Sequence, residues 1–137
     1  MGLILDSSVV IAAERRGQDV VQILEAIANK FGEVDVGMSV ITVAELEHGA
    51  YRGKDQSGRS RRLKFVDELC RDIAVYPITL EIARRVGRIQ AEQAANGIAI
   101  AFQDLAIGVT ALELGFQVAT LNVRDFQKIP SLSILSA

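Results

Sequence analysis

Leu3-Ile4-Leu5-Asp6-Ser7-Ser8-Val9-Val10-Ile11 is the stretch from which the rest of the chain takes its bearings. Three apolar residues at its start have the length and character of a short, fully buried strand. Asp6 stops the run. A carboxylate in that place stands at the carboxyl end of a strand, where open α/β sheets bind their ligands. Ser7 and Ser8 then open a helix. Asp and Ser are preferred helix caps, so a purely structural account of Asp6 is available, and taken alone it is the favoured one. The balance shifts because an acid at a strand-to-helix junction recurs three more times.

Downstream, Gly17 interrupts the first helix, and Gln18 or Asp19 starts a second. Val20, Ile23, Leu24, Ile27 and Phe31 recur at three- and four-residue steps, the mark of one buried face, and Gly32 closes the helix. Residues 34–40 alternate as a strand, weakened by Gly37. Helical character resumes near Thr42, whose spacing to Glu45 is that of a capping box. The polar, basic segment 52–64 reads as a loop between helices, with Gly53, Ser57 and Gly58 as its markers. Phe65, Val66, Leu69, Cys70 and Ile73 resume the apolar pattern. Residues 73–78 read as a third strand, and Pro77 at its end suggests a sheet edge. Thr79 caps a long helix with Ile82, Val86 and Ile89 on its buried stripe, and Asn96-Gly97 ends it. The following helix carries Asp104 in its first turn, is apolar on most faces, and belongs in the centre of the fold. Gly115 ends it. Residues 116–121 form a fourth strand, 122–126 a turn or single helical turn, and Leu132, Ile134 and Leu135 a last short strand. Strands alternate with helices throughout, so the expected fold is α/β, one domain over residues 1–137, with a central parallel sheet of four to five strands and helices on both faces.

The totals agree with a single globular domain. The 137 residues are half apolar and 23% charged, too hydrophobic for disorder and long enough for a sizeable core. No apolar run spans a bilayer, and the N-terminus has no signal-peptide pattern. Cys70, the single cysteine, cannot form an internal disulfide; it reads as a small core residue in a reducing compartment, so a cytoplasmic location is expected. The net charge of −2 speaks against non-specific nucleic-acid binding, although acids gathered around a cation would mask their own charge. Aromatic residues are few and Trp is absent, so base-stacking platforms are sparse.

Asp6, Glu45, Asp104 and Asp125 fall at comparable places. Asp6 follows a strand directly and Asp125 follows one a turn later; Glu45 and Asp104 lie in first turns of helices. A parallel sheet gathers all such positions on one edge. Four ionised carboxylates there repel one another unless a cation joins them. Mg²⁺ or Mn²⁺, which prefer carboxylate and water oxygens, answer that need. Such a site suits phosphodiester hydrolysis. Ser8, Thr120 and Asn122 lie near these acids in sequence and are candidates for orienting them or a bound water.

Leu5-Asp6-Ser7-Ser8, Val43-Ala44-Glu45-Leu46, Asp104-Leu105-Ala106-Ile107 and Thr120-Leu121-Asn122-Val123-Arg124-Asp125-Phe126, in this order and at these spacings, resemble a PIN-domain ribonuclease, and most closely the VapC-type toxins of toxin–antitoxin pairs. Each motif is short; together they cover nearly the whole length. The resemblance implies Mg²⁺- or Mn²⁺-dependent endonucleolytic RNA cleavage, a homodimer, and a VapB-like antitoxin that blocks the site. It implies Asp6 and Asp104 as the principal metal ligands, with Glu45 and Asp125 completing an acidic quartet. Gln103 departs from the acidic or small polar residue common before the third acid. Arg52, Arg59, Arg61 and Arg62 are candidates for gripping RNA phosphates or an acidic antitoxin segment, against a solvated helix face. Arg124 either reaches the scissile phosphate or forms a surface ion pair. His48 reads as a surface or packing residue rather than a general base. Two other readings stand beside the nuclease: a receiver-like phosphoacceptor domain, which lacks its expected acidic pair and lysine here, and a PIN-like RNA-binding module without catalysis, against which the full quartet argues.

Overall fold

A computed structural model describes residues 1–137. Five strands, β1 (Gly2–Leu5), β2 (Asp35–Ser39), β3 (Ala74–Tyr76), β4 (Gln117–Thr120) and β5 (Ile134–Ser136), alternate with seven helices: α1 (Ser7–Arg15), α2 (Val20–Phe31), α3 (Val40–Arg52), α4 (Gln56–Asp72), α5 (Leu80–Ala95), α6 (Phe102–Leu114) and α7 (Val123–Phe126). The strands form one parallel sheet in the order β3-β2-β1-β4-β5, as the alternation predicts. This is not the 2-1-3-4-5 order of flavodoxin-like domains, and the receiver-like alternative falls with it.

β1 is central because its apolar run has to be buried on both sides. Leu3, Ile4 and Leu5 are each at most 1% exposed, and burying such side chains contributes about 1.5–3 kcal/mol apiece. Successive side chains alternate between faces. Ile4 and Val118 pack with Val86, Ile89, Leu105 and Val109 of α5 and α6. Leu5 and Ala119 pack with Val10, Val20, Leu46 and Leu69 of α1, α2, α3 and α4. The chain steps outward from β1 to β2 and β3, returns over the other face through α5 and α6, and re-enters the sheet beside β1 as β4. The strand order therefore reverses between β1 and β4, and the crevice beyond their carboxyl ends is where such sheets bind ligands.

Several local expectations change. α3 starts at Val40, capped by the Ser39 hydroxyl, which accepts from the Ile41 N–H at 3.1 Å. Thr42 is buried inside the helix and its hydroxyl has no partner, so there is no Thr42–Glu45 capping box, and Glu45 is not accounted for as a cap. Only residues 53–55 separate α3 from α4; Ser57 and Gly58 lie inside α4 because Asp55 caps it through the Ser57 N–H. The basic segment is thus largely a helix face rather than a loop. Cys70 is exposed on α4 and not part of the core. Pro77 does follow an edge strand. Gly115, at φ +69°, closes α6 in the left-handed conformation that glycine adopts without strain.

Candidate active site

Asp6 occupies the N-cap position of α1 but its side chain caps nothing. It is 3% exposed. Its Oδ2 accepts from the Ser8 hydroxyl at 2.7 Å and the Thr120 hydroxyl at 2.9 Å. Those hydroxyls accept in turn from main-chain N–H groups, Ser8 from Leu121 at 3.1 Å and Thr120 from Asn122 at 2.8 Å. Each hydroxyl has one proton to give, and the main chain directs it to Asp6. The carboxylate is thereby fixed between β1 and β4, with both bonds on one oxygen and no ion pair to any cation. Burying a carboxylate costs several kcal/mol without a compensating partner. Of the three neighbours named from the sequence, Ser8 and Thr120 hydrogen-bond the Asp6 side chain; Asn122 contributes its main chain only, and its side chain makes no cap bond.

Glu45, one turn beyond Thr42 on α3, is half-buried, and its Oε1 is fully shielded from solvent with no hydrogen-bond partner. Burial raises its pKa above the ordinary carboxylate value, and the charges of Asp6 and then Asp104 raise it further. The Ser7 hydroxyl offsets part of this without reaching full hydrogen-bond geometry. Asp104, in the first turn of α6, is raised likewise by burial, then by Asp6 and Asp125, with Lys128 pulling the other way. Asp6, Glu45 and Asp104 are therefore one electrostatic cluster delivered by β1, α3 and α6. Asp125 is exposed at the rim, on the side of Asp104.

No three of these side chains converge tightly enough to enclose a bare ion. Their chemistry nonetheless fits a hydrated hard cation. All donors are carboxylate or hydroxyl oxygens, one carboxylate oxygen is buried and unpartnered, and the cluster repels itself. Mg²⁺ characteristically keeps several waters and takes only one or two protein carboxylates directly.

The basic candidates separate into different groups. Arg59 donates to the carbonyls of Tyr51 and Gly53 at 3.3 Å and lies over the Tyr51 ring; it closes the end of α3 rather than presenting a free charge. Arg62 donates weakly to the Gly49 carbonyl and lies 4.0 Å from Glu14. Arg52, Arg61 and Arg124 are exposed, as is His48. A cavity of about 540 Å³ lies between the α1–α2 turn and α4, lined by Arg15, Asp19, Arg61, Arg62 and Lys64 among others. A smaller cleft of about 70 Å³ shares Glu14, Arg15, Arg62 and Phe65 with it and reaches Glu45. The largest cavity is thus beside the acids, not over them. Ser7 and Lys128 bear on the site although their types and spacing carry no distinctive signal.

Residues 3–132 match the PIN domain family. The chain is 31% identical over 136 residues to a Rickettsia bellii protein named Ribonuclease VapC, covering 99% of this chain and 96% of that one. Among solved structures, DNA-bound VapBC from Salmonella typhimurium superposes with a TM-score of 0.82 at 26% identity, covering 98% of this chain and 97% of that one. VapBC-1 from nontypeable Haemophilus influenzae gives 0.82 at 25% identity, covering 99% and 98%.

Proposed function

The chain belongs to the PIN-domain family, with VapC ribonucleases among its relatives, and on that footing we propose that it is the toxin of a toxin–antitoxin pair: an endoribonuclease that requires Mg²⁺ or Mn²⁺. The observation that carries this reading is the cluster of Asp6, Glu45 and Asp104, two of whose members are raised in pKa by burial and by one another. An arrangement that weakens the folded protein at neutral pH and serves no cap calls for a cation.

Asp6, Glu45 and Asp104 would hold the ion, with Asp125 joining from the rim. When bound, the ion supplies neutralisation of the phosphodiester and acidification of an attacking water. The rest falls to the chain itself. Ser8 and Thr120 keep Asp6 from turning away. Glu45 and Asp104, half-buried, take up protons less readily once neutralised by a cation, so they remain ligands at neutral pH. Without a cation the acids repel the RNA backbone, which makes the pocket inert toward its own substrate. The exposed Arg52, Arg61, Arg62 and Arg124 would meet RNA phosphates or an acidic segment of a VapB-like antitoxin, while Arg59 is engaged at the end of α3. A homodimer and a cytoplasmic location follow from the same family reading; no helix is long and apolar enough to cross a membrane.

The test is incubation of the protein with total transfer RNA and ribosomal RNA, with Mg²⁺, with Mn²⁺ and with EDTA. Cleavage at internal positions that EDTA stops and Asp6→Asn removes is the expected result. Absence of cutting with either ion by folded protein, or cutting untouched by Asp6→Asn, refutes the reading.

A further inference from the structure

On the α6–α7 side of the pocket a cation stands where no sequence motif marks one. Lys128 follows α7 by two residues. Its backbone is pinned: Phe126 and Ile129 on either side are 0% and 2% exposed, and the Gln93 side-chain amide donates to its carbonyl at 2.8 Å. Its side chain is not. The ammonium is exposed, makes no salt bridge, and donates only to the Ala99 carbonyl at 3.4 Å. Ala99 belongs to the connection that leads into α6, five residues ahead of Asp104. A lysine carries a mobile point charge on a flexible stem, and a single long bond to a neutral carbonyl in solvent holds it weakly. The combination is a fixed anchor with a free head, on the connection side of α6. Its field is felt at Asp104, whose pKa it draws down against the other influences there.

We propose that Lys128 is a substrate-positioning residue: its ammonium leaves Ala99 to bind a phosphate of the RNA strand as that strand enters beside Asp104. This rests on the ribonuclease reading above. The arginines of α4 belong to the opposite face of the sheet, so a strand crossing the acids meets positive charge on both sides, Arg61 and Arg62 on one and Lys128 on the other. A strand clamped at both ends places the intervening phosphodiester over the carboxylates. An ammonium there also opposes the repulsion that the acids exert on the backbone.

The experiment uses a fluorescein-labelled single-stranded RNA that the unaltered chain cuts, or, if it cuts none, the same label on a mixed-sequence RNA. Binding is measured in the Asp6→Asn chain, with Lys128 retained or changed to Ala or Arg, across a salt series in Mg²⁺. Lys128→Ala is expected to weaken binding about tenfold at low salt, the scale of one charge-assisted contact, and to reduce the slope of log affinity against log salt by about 0.7, one phosphate on a single strand. Lys128→Arg is expected to retain most of both. In the cutting assay Lys128→Ala is expected to raise KM far more than it lowers kcat, with an unchanged melting temperature. An unchanged salt slope and affinity overturn the proposal, as does a fall in kcat alone, which would mean that Lys128 acts on Asp104 and not on the RNA. The binding arm stands even where no RNA is cut, so a failed nuclease reading and a failed Lys128 contact are told apart.

Discussion

Replacing Glu45 with Gln is expected to make the metal-free protein more stable. In EDTA at about pH 8 the Glu45 carboxylate is ionised, half-buried, beside Asp6 and Asp104, with Oε1 shielded and unpartnered. Gln leaves a polar atom in the shielded place, so what the substitution relieves is the charge: its burial and its repulsion from Asp6 and Asp104, about 1 kcal/mol for a partly solvated pair of like charges a few ångström apart. Unfolding 137 residues at about 2.1 cal/mol/K per residue gives about 0.29 kcal/mol/K, so relief of that cost raises Tm by about 3–4 °C. The sign with pH follows from linkage. The folded pKa lies above the unfolded one, so the native state binds more protons across the interval between them, and stability falls as pH rises through it. The advantage of Glu45→Gln is therefore full above the folded pKa and vanishes below the ordinary value of 4.5, where the carboxyl is neutral in both states. Adding Mg²⁺ reverses the order. A ligand at a hundred times its Kd stabilises by about 2.7 kcal/mol, and the variant, lacking one of the proposed ligands, is expected to gain less. Differential scanning calorimetry at several pH values, with EDTA and with Mg²⁺, reads all of this. A variant no more stable than the parent at about pH 8 in EDTA, or an advantage that persists below the ordinary carboxylate range, refutes the account of Glu45 as a strained ligand.

Asp6→Asn and Asp104→Asn are each expected to lower EDTA-sensitive RNA cleavage at least about 100-fold and to relieve growth arrest on expression; cleavage assays and colony counts check both. Thr120→Val removes one of the two bonds to Asp6 and strands the Asn122 N–H, so Mg²⁺ affinity by calorimetric titration is expected to fall about 10–100-fold, with a stability loss of about 1–3 kcal/mol by urea titration. Gly108→Ala on α6 places a methyl 2.6 Å from the Ile129 side chain, and over-packing of this kind costs about 1–3 kcal/mol, read as a lower midpoint in urea with an unchanged slope.

The fold was legible because its central strand could not be anything else. Leu3-Ile4-Leu5 needs cover on both sides, and the strand–helix alternation supplies it. The site was legible as far as geometry follows from topology: Asp6, Glu45 and Asp104 share an edge because a parallel sheet brings them there. What stayed hidden depends on local competition. Thr42 and Glu45 have capping-box spacing, but Ser39 ends β2 and takes the cap, a choice that depends on where the strand stops. Ser57 and Gly58 look like loop residues, yet the Asp55 cap starts the helix ahead of them. Cys70 sits beside Leu69 in an apolar run but faces outward, one helical step from the buried row. Arg59 cannot be told from Arg61 by type; only the carbonyls it meets at the end of α3 distinguish them. Lys128 owes its place to Gln93, 35 residues earlier, a pairing without periodic signature.

The bond from Thr120 to Asp6 joins residues 114 apart. A growing polypeptide therefore exposes its first acid to the ribosome long before it has the hydroxyl that steadies it, and at about 5–20 residues per second the delay is several seconds or more. On the ribosome Asp6 therefore waits without that bond until Thr120 has emerged, and any chain cut short before Thr120 never acquires it.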